Sequence, residues 1–291
     1  MGQQFDPENA PLLPPSSFAT HADGGHALTD PRRAPTCEIR ALTTVAELVK
    51  SYQLRHEIYG ALGYLQGSNK FGLEIDSCDL SSVPFGAFHA ATGELVGTLR
   101  LITPEPVFEY EWLITLLLTE LSDREIAEQV VAPRQRRLPS IVSDDIERAI
   151  TEFNSDGYVV HEMSRFIVHP DHRSANLTVG LAMAAMAYAM QSGPAVFIAS
   201  CLPRHVPLYA KYGFVKLPNT DYEYFDSVGQ MANVIICRSD VLPRPIQSRV
   251  DDLLRSTASG ASEYMHELSR DSRALFRLAA ARRTRRTNTE W

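Results

Sequence analysis

The stretch from Tyr158 to Leu177 places charged residues where a buried strand is predicted. It begins as a run of β-branched and aromatic side chains, a pattern typical of a core strand, and the run includes Glu162 and Arg165. A charge inside a core needs a partner or a chemical task, because burying it alone is costly. Pro170 ends the strand, and a long helical pattern follows. A charged strand that leads into a helix N-terminus predicts a polar site beside an anion site.

Three other segments also carry charged residues. The strand Glu94–Ile102 places Arg100 on a face otherwise suited to burial, so Arg100 needs an anionic partner from the protein or from a substrate. A helix predicted over residues 44–62 carries Arg55 and Tyr59 one turn apart on the same side. The loop between this helix and the strands adds three carboxylates: Glu74, Asp76 and Asp79.

The spacing of Glu162 and Arg165 sets a geometric condition on the site. The two residues are three positions apart, so in a regular strand their side chains point to opposite faces of the sheet. Both can serve one site only if a β-bulge shifts the alternation between them.

The order of the predicted elements defines the fold class. Strand, helix, strands, the charged strand, a long helix, strand, helix and strand predict an α/β sandwich around one mixed sheet. No GxGxxG follows a strand and no GxxxxGK[ST] occurs, which argues against a dinucleotide fold and a Walker phosphate site. Residues 1–36 lack a hydrophobic period and are predicted to be a disordered arm. The folded domain is expected over residues 37–245, with an insertion or lid at residues 103–157, and a helical basic tail over residues 246–291.

Composition narrows the class of protein. The formal net charge of −7 argues against a nucleic-acid partner. Four scattered cysteines without a CxxC pair predict free thiols in a reducing cytoplasm rather than a disulfide frame or a zinc site. No apolar run reaches the roughly 18 residues that a membrane span requires. We therefore expect a cytoplasmic protein without a metal.

Two motifs carry a resemblance to the GCN5-related N-acyltransferase superfamily. The segment Val168-His-Pro-Asp-His-Arg173 resembles the start of the acyl-carrier-binding loop of that fold. The segment Leu208-Tyr-Ala-Lys-Tyr-Gly-Phe214 resembles its late Y-x-K-x-GF element. The resemblance implies a three-layer fold around one mixed β-sheet.

Further motifs are similar to one branch, the long-chain N-acyl amino acid synthases and exosortase-associated acyltransferases, relatives of the acyl-homoserine-lactone synthases. They occur in family order, in the segments Leu54–Tyr59, Glu74–Asp79, Gly97–Leu101 and Glu162–Phe166. The resemblance implies an enzyme that transfers a fatty acyl group from a carrier thioester to the amine of an amino acid or similar molecule. The alternatives are a synthase of the lactone-signal type and a non-catalytic sensor that binds an acyl carrier or a lipid.

The implied reaction assigns roles to several residues. An amine attacks a thioester, so the site needs a base, an oxyanion site and a proton for the leaving thiol. Glu162 is the candidate base, with an ion pair to Arg100 or Arg165 as its alternative role. By the resemblance, the oxyanion faces backbone N–H groups near Arg165, and Tyr209 donates the proton unless it only packs.

The acceptor side of the implied site consists of Arg55, Tyr59, Asp76, Asp79 and Arg100. Asp76 and Asp79 would hold the substrate ammonium, and Arg100 and Arg165 would bind a carboxylate. An internal ion-pair network, a core tyrosine and a solvated acidic loop are the corresponding structural alternatives.

The donor side is expected at the loop and helix start, with Val168, Arg173, Ser174, Ala175 and Asn176 as its residues. The stretch from Arg173 to Gly180 is poor in glycine, unlike the coenzyme A loop of ordinary acetyltransferases. This difference favours an acyl carrier protein, whose phosphopantetheine thioester is the co-substrate, and no permanently bound cofactor is expected. The tail from Arg270 onward carries seven arginines against two acidic residues, which suits an acidic carrier protein or an anionic membrane surface.

Overall fold

The computed structural model describes the central part of the chain. The described residues are 37–255, apart from 66–68, 106, 122, 124–125, 128–129, 131–142, 174, 221–222 and 226–229. The predicted arm over residues 1–36, the basic loop at 133–139 and the predicted tail from residue 256 lie outside the described residues.

The strands of the described part form one mixed sheet, which confirms the predicted α/β class. They pair in the order β1-β2-β3-β4-β5-β8-β6, and β7 pairs with β8. Only β4 and β5 pair in parallel; the other pairs are antiparallel. The strand bounds are β1 Cys37–Ala41, β2 Ser82–His89, β3 Leu95–Ile102, β4 Val159–Val168, β5 Ala195–Cys201, β6 Val215–Lys216, β7 Glu223–Phe225 and β8 Gln230–Arg238.

Helices connect these strands, and two of them begin at a capping side chain. The hydroxyl of Thr44 accepts the N–H of Glu47, and that of Ser143 accepts the N–H of Ile146. Residues 244–255 are also helical, as expected at the start of the tail. The helix bounds are α1 Val45–Ala61, α2 Phe108–Leu121, α3 Asp144–Ser155, α4 Ala175–Met190 and α5 Val206–Ala210.

The two faces of the sheet carry different helices, which gives three layers. In β5, Phe197 joins the hydrophobic cluster that contains Leu181 of α4. The next residue of that strand, Ile198, joins the cluster that contains Ile146 of α3. Because side chains alternate along a strand, α4 and α3 cover opposite faces. On the α3 face, Ser51 of α1 shares a 2.7 Å hydrogen bond with Thr98 of β3.

Three details differ from the sequence-based expectation. The pattern of residues 212–217 predicts a strand, but only β6 forms there, because Gly213 has φ +91° and the N–H of Phe214 donates to the carbonyl of Tyr209. Strand β7 was not predicted. The helices α2 and α3 of the expected lid contribute buried Tyr110 and Ile146 to the core.

Candidate active site

A β-bulge at Arg165 defines the geometry of the site. Pairing between β3 and β4 passes from Arg100↔Ser164 to Thr98↔Ile167, so β4 contains one more residue than β3 over this step. Arg165 adopts φ 51°, a left-handed conformation that non-glycine residues rarely take. The extra residue shifts the alternation of β4, as the spacing of Glu162 and Arg165 required. The condition that the spacing set for a shared site is therefore met.

The bulge brings Arg165 into a closed ring of ion pairs. Each of three arginines binds two carboxylates, and each of three carboxylates binds two arginines. The ring runs in the order Arg55, Asp79, Arg100, Asp76, Arg165, Glu74 and back to Arg55.

Short contacts close this ring at every described link. Arg55 Nη1 lies 2.8 Å from Asp79 Oδ1, and Arg100 Nη1 lies 2.6 Å from Asp76 Oδ1 and 3.1 Å from Asp79 Oδ2. Arg165 lies 2.8 Å from Glu74 through Nε and 2.8 Å from Asp76 through Nη2. The Arg55–Glu74 contact completes it. Three positive and three negative charges balance, which allows the group to be buried.

A short 3₁₀ helix over residues 77–81 holds two of the carboxylates in place. Asp76 caps this helix, because its Oδ1 accepts the N–H of Cys78 at 2.8 Å. Asp79 in turn accepts the N–H of Asp76 at 2.9 Å, which completes a capping box. The acidic loop is therefore a rigid part of the site, and the solvated-loop alternative does not describe it.

The arginines keep Asp76 and Glu74 ionised. Burial alone would raise the pKa of Asp76, but Arg100, Arg165 and Arg55 more than offset it and hold that pKa well below its usual range. The pKa of Glu74 is lowered in the same way, with burial opposed by Arg55 and Arg165. Both carboxyls therefore stay charged at neutral pH.

Asp76 and Arg100 differ from the other members of the ring in exposure and in hydrogen bonding. Asp76 exposes 28% of its side chain, against 3% for Asp79. Arg100 is only 2% exposed, yet its Nη2 has no hydrogen-bond partner among the residues that the structure describes. The ring therefore retains one accessible acceptor group and one unused donor.

Glu162 lies on the same face of the sheet as the ring. It pairs in register with Ile102, two residues from Arg100, and is 1% exposed. The pKa of the Cys78 thiol is raised to about 12, mainly by burial, and the carboxylate of Glu162 adds to the increase. Glu162 therefore acts electrostatically on the loop that carries the ring.

Two tyrosines border this group. The guanidinium carbon of Arg165 lies 5.7 Å from the ring centroid of Tyr59. Burial, followed by the effects of Cys201 and Tyr59, raises the pKa of Tyr209 far above its usual range. Tyr209 is therefore protonated at neutral pH and lies near the end of β5.

The central strands separate beside these residues. Parallel pairing of β4 and β5 runs from Val159↔Ala195 to Met163↔Ala199, whereas β4 continues to Val168. Beyond β4, helix α4 begins at Ala175, as predicted. Ser174 and the side chains of Ala175 and Asn176 lie outside the described residues, and Arg173 is exposed.

Most predicted acceptor residues meet in one place: Arg55, Asp76, Asp79 and Arg100, with Tyr59 alongside. In the structure these charged residues form ion pairs with one another, as in the ion-pair alternative. A contact between them and a substrate stays a prediction. Glu74 was not among the predicted site residues. Charge balance could have found it, since three buried arginines require three acids.

Part of the chain matches a known protein family. Residues 138–230 match the family model described as N-acyl amino acid synthase FeeM. The resemblance seen in the sequence is thereby confirmed. The matched FeeM segment contains β4 with Glu162 and Arg165, the loop after it, and Tyr209, whereas Arg55 and Arg100 precede it. A comparison with curated proteins gives no match.

Several solved structures resemble this chain at low sequence identity. The structure of FeeM, an N-acyl amino acid synthase from uncultured soil microbes, is 17% identical, with 70% of this chain and 92% of that chain covered and a TM-score of 0.45. BjaI, a coenzyme A-dependent acyl-homoserine lactone synthase, is 20% identical, with 75% and 89% covered and a TM-score of 0.45. A putative N-acetyltransferase from Lactobacillus plantarum is 13% identical, with 70% and 99% covered and a TM-score of 0.41.

The described part of the chain holds no group of three or more His, Cys, Asp and Glu side chains arranged to bind a metal ion. No helix within it combines the length and the hydrophobicity needed to cross a bilayer.

Proposed function

We propose that the protein is an N-acyltransferase that moves a fatty acyl group, of the long-chain type, from an acyl carrier thioester to the amine of an amino acid or similar small molecule. The match of residues 138–230 to the FeeM family is the observation that carries this proposal. The same segment contains a buried acid, a protonated tyrosine and the point where β4 and β5 separate.

Glu162 serves as the general base. The substrate ammonium first releases one proton to solvent, and Glu162, which is buried beside the ring, takes a second proton from the nitrogen as it attacks. As the new N–C bond forms, the carbonyl oxygen becomes an oxyanion that faces backbone N–H groups of β4 beyond Met163, where pairing with β5 has ended. The bulge at Arg165 supports this placement of the oxyanion, because it changes the direction of the backbone there.

Tyr209 serves as the general acid. When the C–S bond breaks, the thiolate takes the phenol proton, and the proton held by Glu162 returns to Tyr209 through solvent. The raised pKa of Tyr209 supports the assignment, because the phenol carries its proton at neutral pH. The products are an amide and a free thiol.

The ion-pair ring forms the acceptor site. Asp76 is its most exposed carboxylate and suits the ammonium of an amino acid, while the unused Nη2 of Arg100 suits the carboxylate. Because the ring is neutral as a whole, it favours a substrate that carries both charges over one with a single charge. Arg55, Asp79 and Tyr59 then position Asp76, Arg100 and Arg165 rather than contact the substrate themselves.

The donor is an acyl carrier protein rather than coenzyme A. The start of α4 lacks the glycines that let a backbone wrap a pyrophosphate, while exposed Arg173 offers a cation to an acidic partner. Ser174, Ala175 and Asn176 supply helix N-terminal N–H groups for phosphopantetheine, and the Arg-rich tail adds positive charge.

Mass spectrometry of lipid extracts tests the proposal. Cells that overproduce the protein should accumulate N-acyl amino acids that are absent from cells producing the Glu162→Gln variant, which keeps the shape of the side chain. Glu57→Gln, an exposed glutamate on α1, is the matched control and should give the parental products. Products of equal amount from the Glu162→Gln variant would refute the catalytic assignment. Tight binding of acyl carrier protein without any product would instead support a sensor.

A further inference from the structure

A cavity of about 400 Å³ lies on the sheet face opposite the ion-pair ring. Its walls come from the segment after β3, the start of α2, the start of β4 and the end of α4, with Thr103, Glu109, His161, Tyr188 and Ser192 among its lining residues. His161 precedes Glu162 in β4, and its ring stacks on Phe197, which packs in the cluster under α4. The cavity is therefore separated from the candidate active site by the sheet itself.

His161 is an unpartnered polar group inside this cavity. It is 5% exposed, and neither ring nitrogen has a hydrogen-bond partner among the residues that the structure describes. Burial lowers its pKa to about 4, so the imidazole is neutral and offers one donor and one acceptor. Leaving both unmet costs free energy, and such a group in a native protein calls for a ligand or an ordered water.

The surroundings of His161 favour positive charge. Glu105 and Glu109 line the cavity, and the lining residues in the described part of the chain include no lysine or arginine. Helix α4 ends at Met190, next to lining residues Ala189 and Ser192, and its last turn carries no basic side chain to offset the negative end of the helix dipole.

Aromatic rings complete the lining. Phe108 lines the cavity and is 59% exposed, so its ring is accessible to a ligand. Tyr188 lines it from α4 and also packs edge-to-face on Phe85 at 5.9 Å. Aromatic faces beside carboxylates attract organic ammonium groups.

We propose that this cavity is a second binding site, specific for a small organic cation with an ammonium group. Glu109 supplies the counter-charge, His161 supplies hydrogen bonding, and Phe108 and Tyr188 supply aromatic contact. The site stands independently of the proposed transferase activity, because none of its residues belongs to the ring or to the candidate catalytic group.

Isothermal titration of the full-length protein tests the site with two matched probes. Choline carries the ammonium group, and 3,3-dimethyl-1-butanol has nearly the same shape without the charge. Choline should bind, and the neutral probe should bind at least about tenfold more weakly. No measurable binding of choline at millimolar concentration, or equal binding of the two probes, would overturn the proposal.

Three variants locate the binding. Glu109→Gln and His161→Leu should each weaken choline binding about tenfold, whereas Glu120→Gln, an exposed acid at the far end of α2, should leave it unchanged. Thermal unfolding of each variant checks that the fold persists; the His161→Leu chain should be as stable as the parent, because it removes two unmet polar atoms. Choline binding that survives Glu109→Gln would overturn the assignment even if the His161→Leu chain failed to fold.

Discussion

Arg165 Nη2 and Asp76 Oδ2 lie 2.8 Å apart, although 89 residues separate them in the chain. The contact exists because the bulge turns Arg165 toward the α1 face of the sheet, where the acidic loop lies. The strained backbone of Arg165 and the closure of the ion-pair ring are therefore two aspects of one feature.

Two substitutions at Arg165 separate the backbone from the side chain. Both Arg165→Ala and Arg165→Gly remove the guanidinium, but only glycine adopts φ 51° without steric cost. The Gly variant should therefore be more stable than the Ala variant by about 1–2 kcal/mol, measured by urea unfolding. Equal stability, or greater stability with alanine, would contradict the bulge geometry.

Opening the ring should be costly. Arg55→Met leaves Glu74 and Asp79 with one arginine each in a buried place, and should lower the free energy of unfolding by about 3–5 kcal/mol. Arg148→Met removes an ion pair whose arginine is 63% exposed and should cost less than about 1 kcal/mol. Chemical denaturation of both variants gives the comparison, and similar losses would argue against a buried ring.

The ring also predicts how stability varies with pH. The pKa values of Glu74 and Asp76 lie below their ordinary values of 4.5 and 3.8, so the unfolded chain binds these protons more readily than the folded one. Their contribution is fully present above about pH 5 and is lost as the pH falls through and below the ordinary values. The urea midpoint, measured between about pH 7 and about pH 3, should therefore decrease toward the acid end of this range. The decline should be shallower in a Glu74→Gln, Asp76→Asn variant, and an unchanged slope would contradict the lowered pKa values.

Loss of the candidate acid should affect turnover rather than folding. Tyr209→Phe keeps the aromatic contact with Phe214, whose ring lies 5.7 Å away, and removes only the hydroxyl. Turnover should fall about 10²–10⁴-fold while thermal stability stays near the parental value. Tyr212→Phe, at a partly buried tyrosine three residues after Tyr209, is the control and should keep its rate. Parental turnover in the Tyr209→Phe enzyme would show that Tyr209 only packs.

Part of the site could be predicted from the sequence, and individual residues show why the rest could not. Glu162 and Arg165 stood out because charges in a strand pattern conflict with burial, and their spacing required the bulge that is present. Glu74 was not predicted as a site residue, because an acidic side chain in a loop does not conflict with burial until its arginine partners are known. His161 was not predicted as a site residue, because the sequence does not show whether its ring nitrogens have hydrogen-bond partners. That depends on packing across the sheet.

The ring also has a consequence for the order in which the protein assembles. The Arg165–Glu74 contact joins residues 91 positions apart, and β4, which provides Arg165, is the strand between β3 and β5. During synthesis, two arginines and three acids of the ring leave the ribosome well before its last member. The emerging half-sheet therefore carries an excess negative charge that cannot be buried, and its completion must wait for β4. Long-range closure of this kind slows folding, and it couples the two halves of the sheet into a single cooperative unit.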